Sequence, residues 1–162
     1  MIFQWLRSCY GSNWGKVSAS VYRSSEPNAK KLAKWKHDYG LDAVLDLRDV
    51  DGAEERRVVS ALGMLYYPVK MRDDAEPSPK QVKEALYVLQ SGVTTLVHCR
   101  GGRHRAGLIC ACYEVMNGKD KSDAWRNAVK FGWYDFGGRK PIRLWFENQF
   151  KVEDYRCLEC SY

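Results

Sequence analysis

Thr94-Thr95-Leu96-Val97-His98-Cys99-Arg100-Gly101-Gly102-Arg103-His104-Arg105-Ala106-Gly107 is the stretch that decides how this chain is read. It begins as an apolar β run, turns through glycines and bases, and opens a helix at about Arg105. Strand to loop to helix N-terminus is the geometry that binds phosphate. Successive backbone N–H groups curl round the anion, and the helix dipole adds positive potential. Gly101 and Gly102 admit backbone conformations closed to other residues and let the chain approach a ligand closely. A cysteine at the head of such a loop is favoured as the thiolate, its nucleophilic form, by the amides, the dipole and a neighbouring arginine. Five residues separate Cys99 from Arg105, whose planar, permanently charged fork matches two phosphate oxygens. The stretch predicts a phosphate cradle with Cys99 as nucleophile and Arg100, Gly101, Gly102, Arg103, His104 and Arg105 as its binding residues. The competing reading is a buried structural cysteine beside an ordinary basic turn.

Outward from the loop, strands and helices alternate. Val17–Arg23 alternates well enough for a first strand, and Ser24-Ser25-Glu26-Pro27 supplies start signals for a helix ending near Tyr39 and Gly40. Ala43–Arg48 is a short apolar strand. Asp51 is placed to cap a helix that ends at Gly63, and Met64–Val69 is a third strand whose Pro68 marks an end or an edge. Residues 71–79 form a loop of acids and prolines. Lys80–Gln90 is amphipathic, with Val82, Leu86 and Leu89 in register. Two more helices are expected at about Asp120–Phe131 and Pro141–Lys151, joined by an aromatic, glycine-rich loop at Gly132–Lys140. In that loop Trp133, Tyr134 and Phe136 either pack between helices or line a pocket. The alternation predicts an α/β fold: a mostly parallel sheet of four to five strands flanked by helices on both faces. In open α/β sheets the site lies at the carboxyl ends of the strands, where Cys99 falls.

A length of 162 residues suits a single domain with a full hydrophobic core, residues 1–16 and 152–162 being peripheral extensions. The net charge of +6 favours anionic substrates without choosing among phosphoprotein, inositol phosphate and nucleic acid. Cys110 and Cys112 lie in the apolar helix after the loop and read as core. Cys157 and Cys160 have no second pair or histidine to complete a zinc site, so neither a metal nor a cofactor is expected; a disulfide involving Cys9 stays open. Met1–Leu6 is too short and polar-flanked for a signal peptide, and no stretch is long enough to span a membrane. With a nucleophilic thiolate, this reads as a cytoplasmic protein in a reducing compartment.

His98-Cys99-Arg100-Gly101-Gly102-Arg103-His104-Arg105 resembles the His-Cys-x-x-Gly-x-x-Arg signature of the cysteine-dependent protein tyrosine and dual-specificity phosphatases. The order of elements over residues 20–150 is similar to the small atypical dual-specificity members, as are Tyr22-Arg23-Ser24 and Leu45-Asp46-Leu47-Arg48. Arg23 and Arg48 can equally hold the sheet edge in ion pairs. The resemblance implies hydrolysis of phosphate monoesters through a phosphocysteine, with His98 orienting the loop. It implies phosphate, sulfate or vanadate as ligands of that loop. It also implies an aspartate acid on the loop between a strand and the helix that precedes Cys99. Asp74 of Asp73-Asp74-Ala75-Glu76-Pro77 is the first choice, Asp73 the second and Glu76 the third; a solvated acidic turn is the alternative. Most members carry Ser or Thr after the signature arginine, where this chain has Ala106; the phosphatases of regenerating liver share the alanine and are slow. Plant and fungal atypical members with basic loops act on inositol pyrophosphates, and this loop resembles theirs. The readings in play are a tyrosine or dual-specificity phosphatase, an inositol polyphosphate or pyrophosphate phosphatase, and a phosphate-binding module with little turnover. Beyond charge and the signature, nothing speaks for nucleic acid as a partner.

Overall fold

A computed structural model describes residues 12–156; the readings of Cys9, Cys157 and Cys160 lie outside the described residues. In chain order the elements are β1 (Gly15–Lys16), β2 (Val21–Ser24), α1 (Ala29–Tyr39), β3 (Ala43–Asp46), α2 (Ala53–Ala61), β4 (Leu65–Pro68), α3 (Pro79–Gln90), β5 (Thr95–His98), α4 (Arg105–Met116), α5 (Lys121–Lys130), α6 (Lys140–Asn148) and a 3-10 turn (Val152–Asp154). The sheet order is β1-β2-β5-β3-β4. β2, β5, β3 and β4 run parallel, and β1 adds an antiparallel edge.

β5 is central because all four of its residues are buried and it pairs on both sides. Side-chain alternation along the strands divides the core in two. Val21, Leu45 and Val97 join the helices α3 to α6 through Val82, Leu86, Ile109, Ala124 and Phe146. Tyr22, Val44 and Leu96 join α1 and α2 through Leu32, Trp35 and Val59. Helix α4 lies deepest, every residue from Ala106 to Glu114 being buried. A helix apolar on all sides belongs inside a protein.

Local signals set the helix ends. The Asn28 side chain accepts from Lys31 N–H to cap α1, and Gly40, in the left-handed region at φ 65°, closes it. Ser78 and Gln81 form a capping box at α3 with Pro79 in the first turn, and Asp120 caps α5.

Four boundaries differ from the sequence expectations. The first strand covers Val21–Ser24 rather than Val17–Arg23, because Val17 and Ser18 both donate to the Val21 carbonyl and fold the chain into a turn. Gly15 and Lys16 then pair back onto Arg23 and Tyr22, so this part of the N-terminal extension belongs to the sheet. The following helix is capped by Asn28 and starts at Ala29, not at Ser24-Ser25-Glu26-Pro27. Ser24 is the last residue of β2, in register with His98, while Ser25 and Glu26 donate their N–H groups to Ser12 and Arg100. At α2, Gly52 takes the cap position and Asp51 accepts from Ala53 N–H at 3.1 Å. α6 ends at Asn148, where Gln149 and Phe150 both turn back to the Trp145 carbonyl.

Because Ile109 is wholly buried at the middle of α4, Ile109→Ala is expected to cost about 2–5 kcal/mol of stability in urea denaturation, transfer and cavity terms together.

Candidate active site

The carboxyl ends of β2, β3 and β5 meet at the loop that follows His98. Ser24 and Asp46 stand opposite His98 in their strands, so the next residues of all three chains converge there. Four consecutive loop carbonyls are taken up by the scaffold. The Cys99 carbonyl lies 3.4 Å from His98 Nδ1, and that of Arg100 accepts from Glu26 N–H at 3.0 Å. Those of Gly101 and Gly102 accept from Asn13 Nδ2 at 3.2 and 3.0 Å, and Gly102 also accepts from Arg23 Nη2 at 2.7 Å. With its acceptors engaged in this way, the loop keeps its N–H groups for an anion. Gly102 sits at φ 66°, and a Cβ there would lie 2.5 Å from the Ser24 carbonyl oxygen. Only glycine fits that contact.

Cys99 is buried, with 2% of its surface exposed. Arg105, the first residue of α4, donates from Nη1 to the carbonyls of Met71 at 3.1 Å and Leu47 at 3.4 Å. Its guanidinium is thereby held between the loops after β3 and β4. A cavity of about 590 Å³ opens over Cys99. Its walls carry Arg48, Arg72, Arg100, Arg103, Arg105 and Arg139 against Asp49, Asp73 and Asp74. Arg48 is taken up by carboxylates of its own, and the five other guanidinium groups over three aspartates leave a positive excess suited to an anion.

Both aspartates of the expected acid loop face this cavity, whereas Glu76 does not line it. Asp74 is bound by Arg72 Nε and Nη2 at 3.0 and 3.1 Å, and this contact holds its carboxyl below the ordinary range. Asp73 pairs with Arg139 Nη2 at 2.8 Å. Burial pushes the Asp73 carboxyl up, but the Arg139 hydrogen bond and the charges of Arg139 and Arg105 outweigh it and hold it low.

His104 is a wall rather than a charge. Its ring meets Trp133 and Tyr134 edge-on, at centroid distances of 5.2 and 4.3 Å. Burial, with Arg139 nearby, pushes it down to about 4. The three aromatics of the Gly132–Lys140 loop divide: Trp133 enters the core, Tyr134 lines the cavity with Arg139 over its ring, and Phe136 is exposed. Arg48 makes ion pairs with Asp46, Glu26 and Glu55. Arg23 makes none among the described residues; instead its buried guanidinium supports Gly102 and lies 4.1 Å from the centre of the Phe131 ring.

The family model described as the Swiss Army Knife protein, DSP-PTPase phosphatase domain, matches residues 19–132. The chain belongs to this family. Among curated proteins it is 31% identical over 128 residues to the dual specificity protein phosphatase TpbA of Pseudomonas aeruginosa (strain UCBPP-PA14), across 76% of this chain and 56% of that protein. The chain thus spans little more than half the length of that relative. Its fold is similar to the core catalytic domain of the PP-IP phosphatase SIW14 from S. cerevisiae, solved with citrate, at TM-score 0.75 and 22% identity over 87% of each chain. P. aeruginosa TpbA gives TM-score 0.73 and 23% identity over 89% of this chain and 88% of that one. No described helix is long and apolar enough to cross a membrane.

Asn13, Arg72 and Arg139 complete the site and escape the sequence reading, while Arg23 supports the loop rather than an ion pair at the sheet edge and Tyr134 takes the pocket-lining alternative. A signal existed for Arg23, an arginine within an otherwise apolar strand. Asn13, at φ 46° with its amide donating to the loop, has no sequence signature of its own.

The displaced titration of His104 carries a sign. Between its ordinary 6.5 and about 4 the unfolded chain binds a proton that the folded protein does not, so stability is full above 6.5 and lost as pH falls toward 4. His104→Phe keeps the ring contacts and removes that loss. Its urea-denaturation stability is expected to fall less over this range than that of the wild type, by on the order of 1–3 kcal/mol.

Proposed function

We propose that this protein is a cysteine-dependent phosphatase acting on phosphate monoesters, phosphotyrosine or dual-specificity in type, through a phosphocysteine at Cys99. The observation that carries the reading is the convergence of Cys99, a carbonyl-anchored loop and Arg105 under one arginine-lined cavity. The Cys99 thiolate attacks phosphorus, and the bond to the leaving oxygen breaks. The loop amides, with Arg105, hold the three remaining oxygens as charge redistributes. His98 orients the loop. Asp74, or Asp73 in its place, gives its proton to the leaving oxygen, a contribution of about 10²–10⁴-fold. Water then attacks phosphorus, its proton passes to the aspartate, and the sulfur leaves as thiolate with release of inorganic phosphate.

Ala106, buried in the first turn of α4, has no hydroxyl to stabilise the departing sulfur, so the second step is the slower one. Phosphorylated esters are the substrates, and phosphate, sulfate or vanadate bind in the same loop. The reducing compartment that such a thiolate needs is the cytoplasm.

A second reading is favoured by one observation. Both candidate acids are held ionised by arginines, Asp74 by Arg72 and Asp73 by Arg139. A phosphoanhydride leaves without a proton, and a polyphosphorylated ligand suits the arginine-lined wall. The PP-IP phosphatase among the structural neighbours is named for such chemistry.

Three experiments test these readings. Wild-type protein is expected to hydrolyse an aryl phosphate with vanadate inhibition, and Cys99→Ser to lose turnover; turnover retained in Cys99→Ser would sink the nucleophile assignment. Asp74→Asn or Asp73→Asn should cost roughly 10²-fold or more on the aryl ester, while an undiminished rate on an inositol pyrophosphate would select the second reading. In rapid mixing, the wild type is expected to show a burst of phenolate followed by slow turnover, with Ala106→Ser raising the slow phase; absence of a burst together with an unchanged rate would count against a limiting second step.

A further inference from the structure

His98, the last residue of β5, is wholly buried, and both of its ring nitrogens face oxygen. Nδ1 lies 3.4 Å from the Cys99 carbonyl oxygen. Nε2 lies 3.0 Å from Glu55 Oε1 on α2 and 3.8 Å from Asp46 Oδ1 on β3. The 3.0 Å contact is an ion pair rather than an aligned hydrogen bond, and neither Nε2 nor Glu55 Oε1 has a hydrogen-bond partner among the described residues. The other oxygen of Glu55 meets Arg48, whose guanidinium also binds Asp46 and Glu26. Tyr66 on β4 donates to Asp46 Oδ2 at 2.6 Å.

Asp46, Glu55 and His98 offer three ligand atoms within 4.8 Å of one another. A divalent cation there would have to displace Arg48 from both carboxylates, so the cluster is better read as a charge assembly. Three carboxylates, Asp46, Glu55 and Glu26, surround one guanidinium, which leaves room for a second positive group. A neutral imidazole donates from one nitrogen only and would turn a lone pair on either the Cys99 carbonyl or the Glu55 carboxylate. The doubly protonated ring turns a lone pair on neither.

We propose that Glu55 is a positioning residue for the nucleophile: its carboxylate pairs with His98 as a cationic ring on one side, while the ring donates to the Cys99 carbonyl on the other. The pinned carbonyl keeps the start of the loop turned toward the cradle, and the positive ring beside Cys99 favours its thiolate. This rests on Cys99 being the nucleophile of the proposed reaction. The charged and titratable groups that bear on the His98 ring are Glu55, Asp46, Arg48 and Cys99, with Tyr66 and Glu26 acting through Asp46 and Arg48.

The test is the rate of iodoacetamide alkylation at Cys99, located by mass spectrometry on the intact protein, from about pH 5 to about pH 9. Glu55→Gln keeps shape and hydrogen bonding but not charge. It is expected to lower the rate near pH 6 by roughly tenfold and to converge with wild type at the alkaline end. His98→Asn should give the same loss, and the double variant no more. Glu54→Gln, which removes a neighbouring charge on the exposed side of α2, leaves the profile unchanged. A Glu55→Gln profile superimposed on wild type, or a further loss in the His98→Asn background, overturns the proposal. Should Glu55→Gln not fold, Glu55→Asp gives a smaller loss confined to acid pH; a loss equal at every pH marks a merely structural role and overturns it as well. If wild-type Cys99 shows no alkylation in the acid range and Cys99→Ser still turns over, the nucleophile reading itself has failed.

Discussion

The direction of four peptide carbonyls governs this molecule. Residues 99 to 102 all turn their oxygens onto donors outside the cavity: His98, the Glu26 amide, Asn13 and Arg23. An anion cradle made of backbone amides works only if the carbonyls of the same peptides are kept away from the ligand, since each would repel it. The donors come from the strand end itself, from the β2–α1 connection and from the segment before β1. The antiparallel edge strand therefore contributes to the site although it stands outside the parallel sheet, because it carries Asn13 to the loop. Arg23 adds a second effect: a buried guanidinium with no carboxylate partner among the described residues contributes its charge to the loop above it.

Around the cavity, arginine and aspartate compete as partners. In the free protein Arg72 and Arg139 are neutralised by Asp74 and Asp73. An incoming phosphate offers the same arginines a stronger, multiply charged partner. The aspartates thus act as placeholders that keep the cationic wall in place. Each aspartate released from its arginine recovers a more ordinary affinity for a proton. For the proposed reaction, binding of substrate and readiness of the acid are linked through the same two ion pairs.

Much of this was legible in the chain. The strand–loop–helix run around Cys99, the alternation of elements, and the packing of Val82, Leu86 and Leu89 follow from periodicity and glycine placement, which are local. The missing pieces are long-range. Arg139 reaches Asp73 across 66 positions and Asn13 reaches Gly102 across 89; no local pattern marks such pairs. His104 misled for a different reason. A histidine among arginines reads as a basic group, yet Trp133 and Tyr134, brought in from the α5–α6 connection, bury and neutralise it. Ser24 misled because a good capping residue was already committed to pairing in β2.

Arg105 begins a helix whose next nine residues are all buried. The floor of the cavity is therefore continuous with the centre of the core, and the loop cannot loosen without disturbing the packing beneath it. Sites built on peripheral loops often fail by local opening, well before the rest of the protein melts. Here the cradle and the core form one cooperative unit, so loss of the proposed activity on heating and loss of the native fold should be a single event.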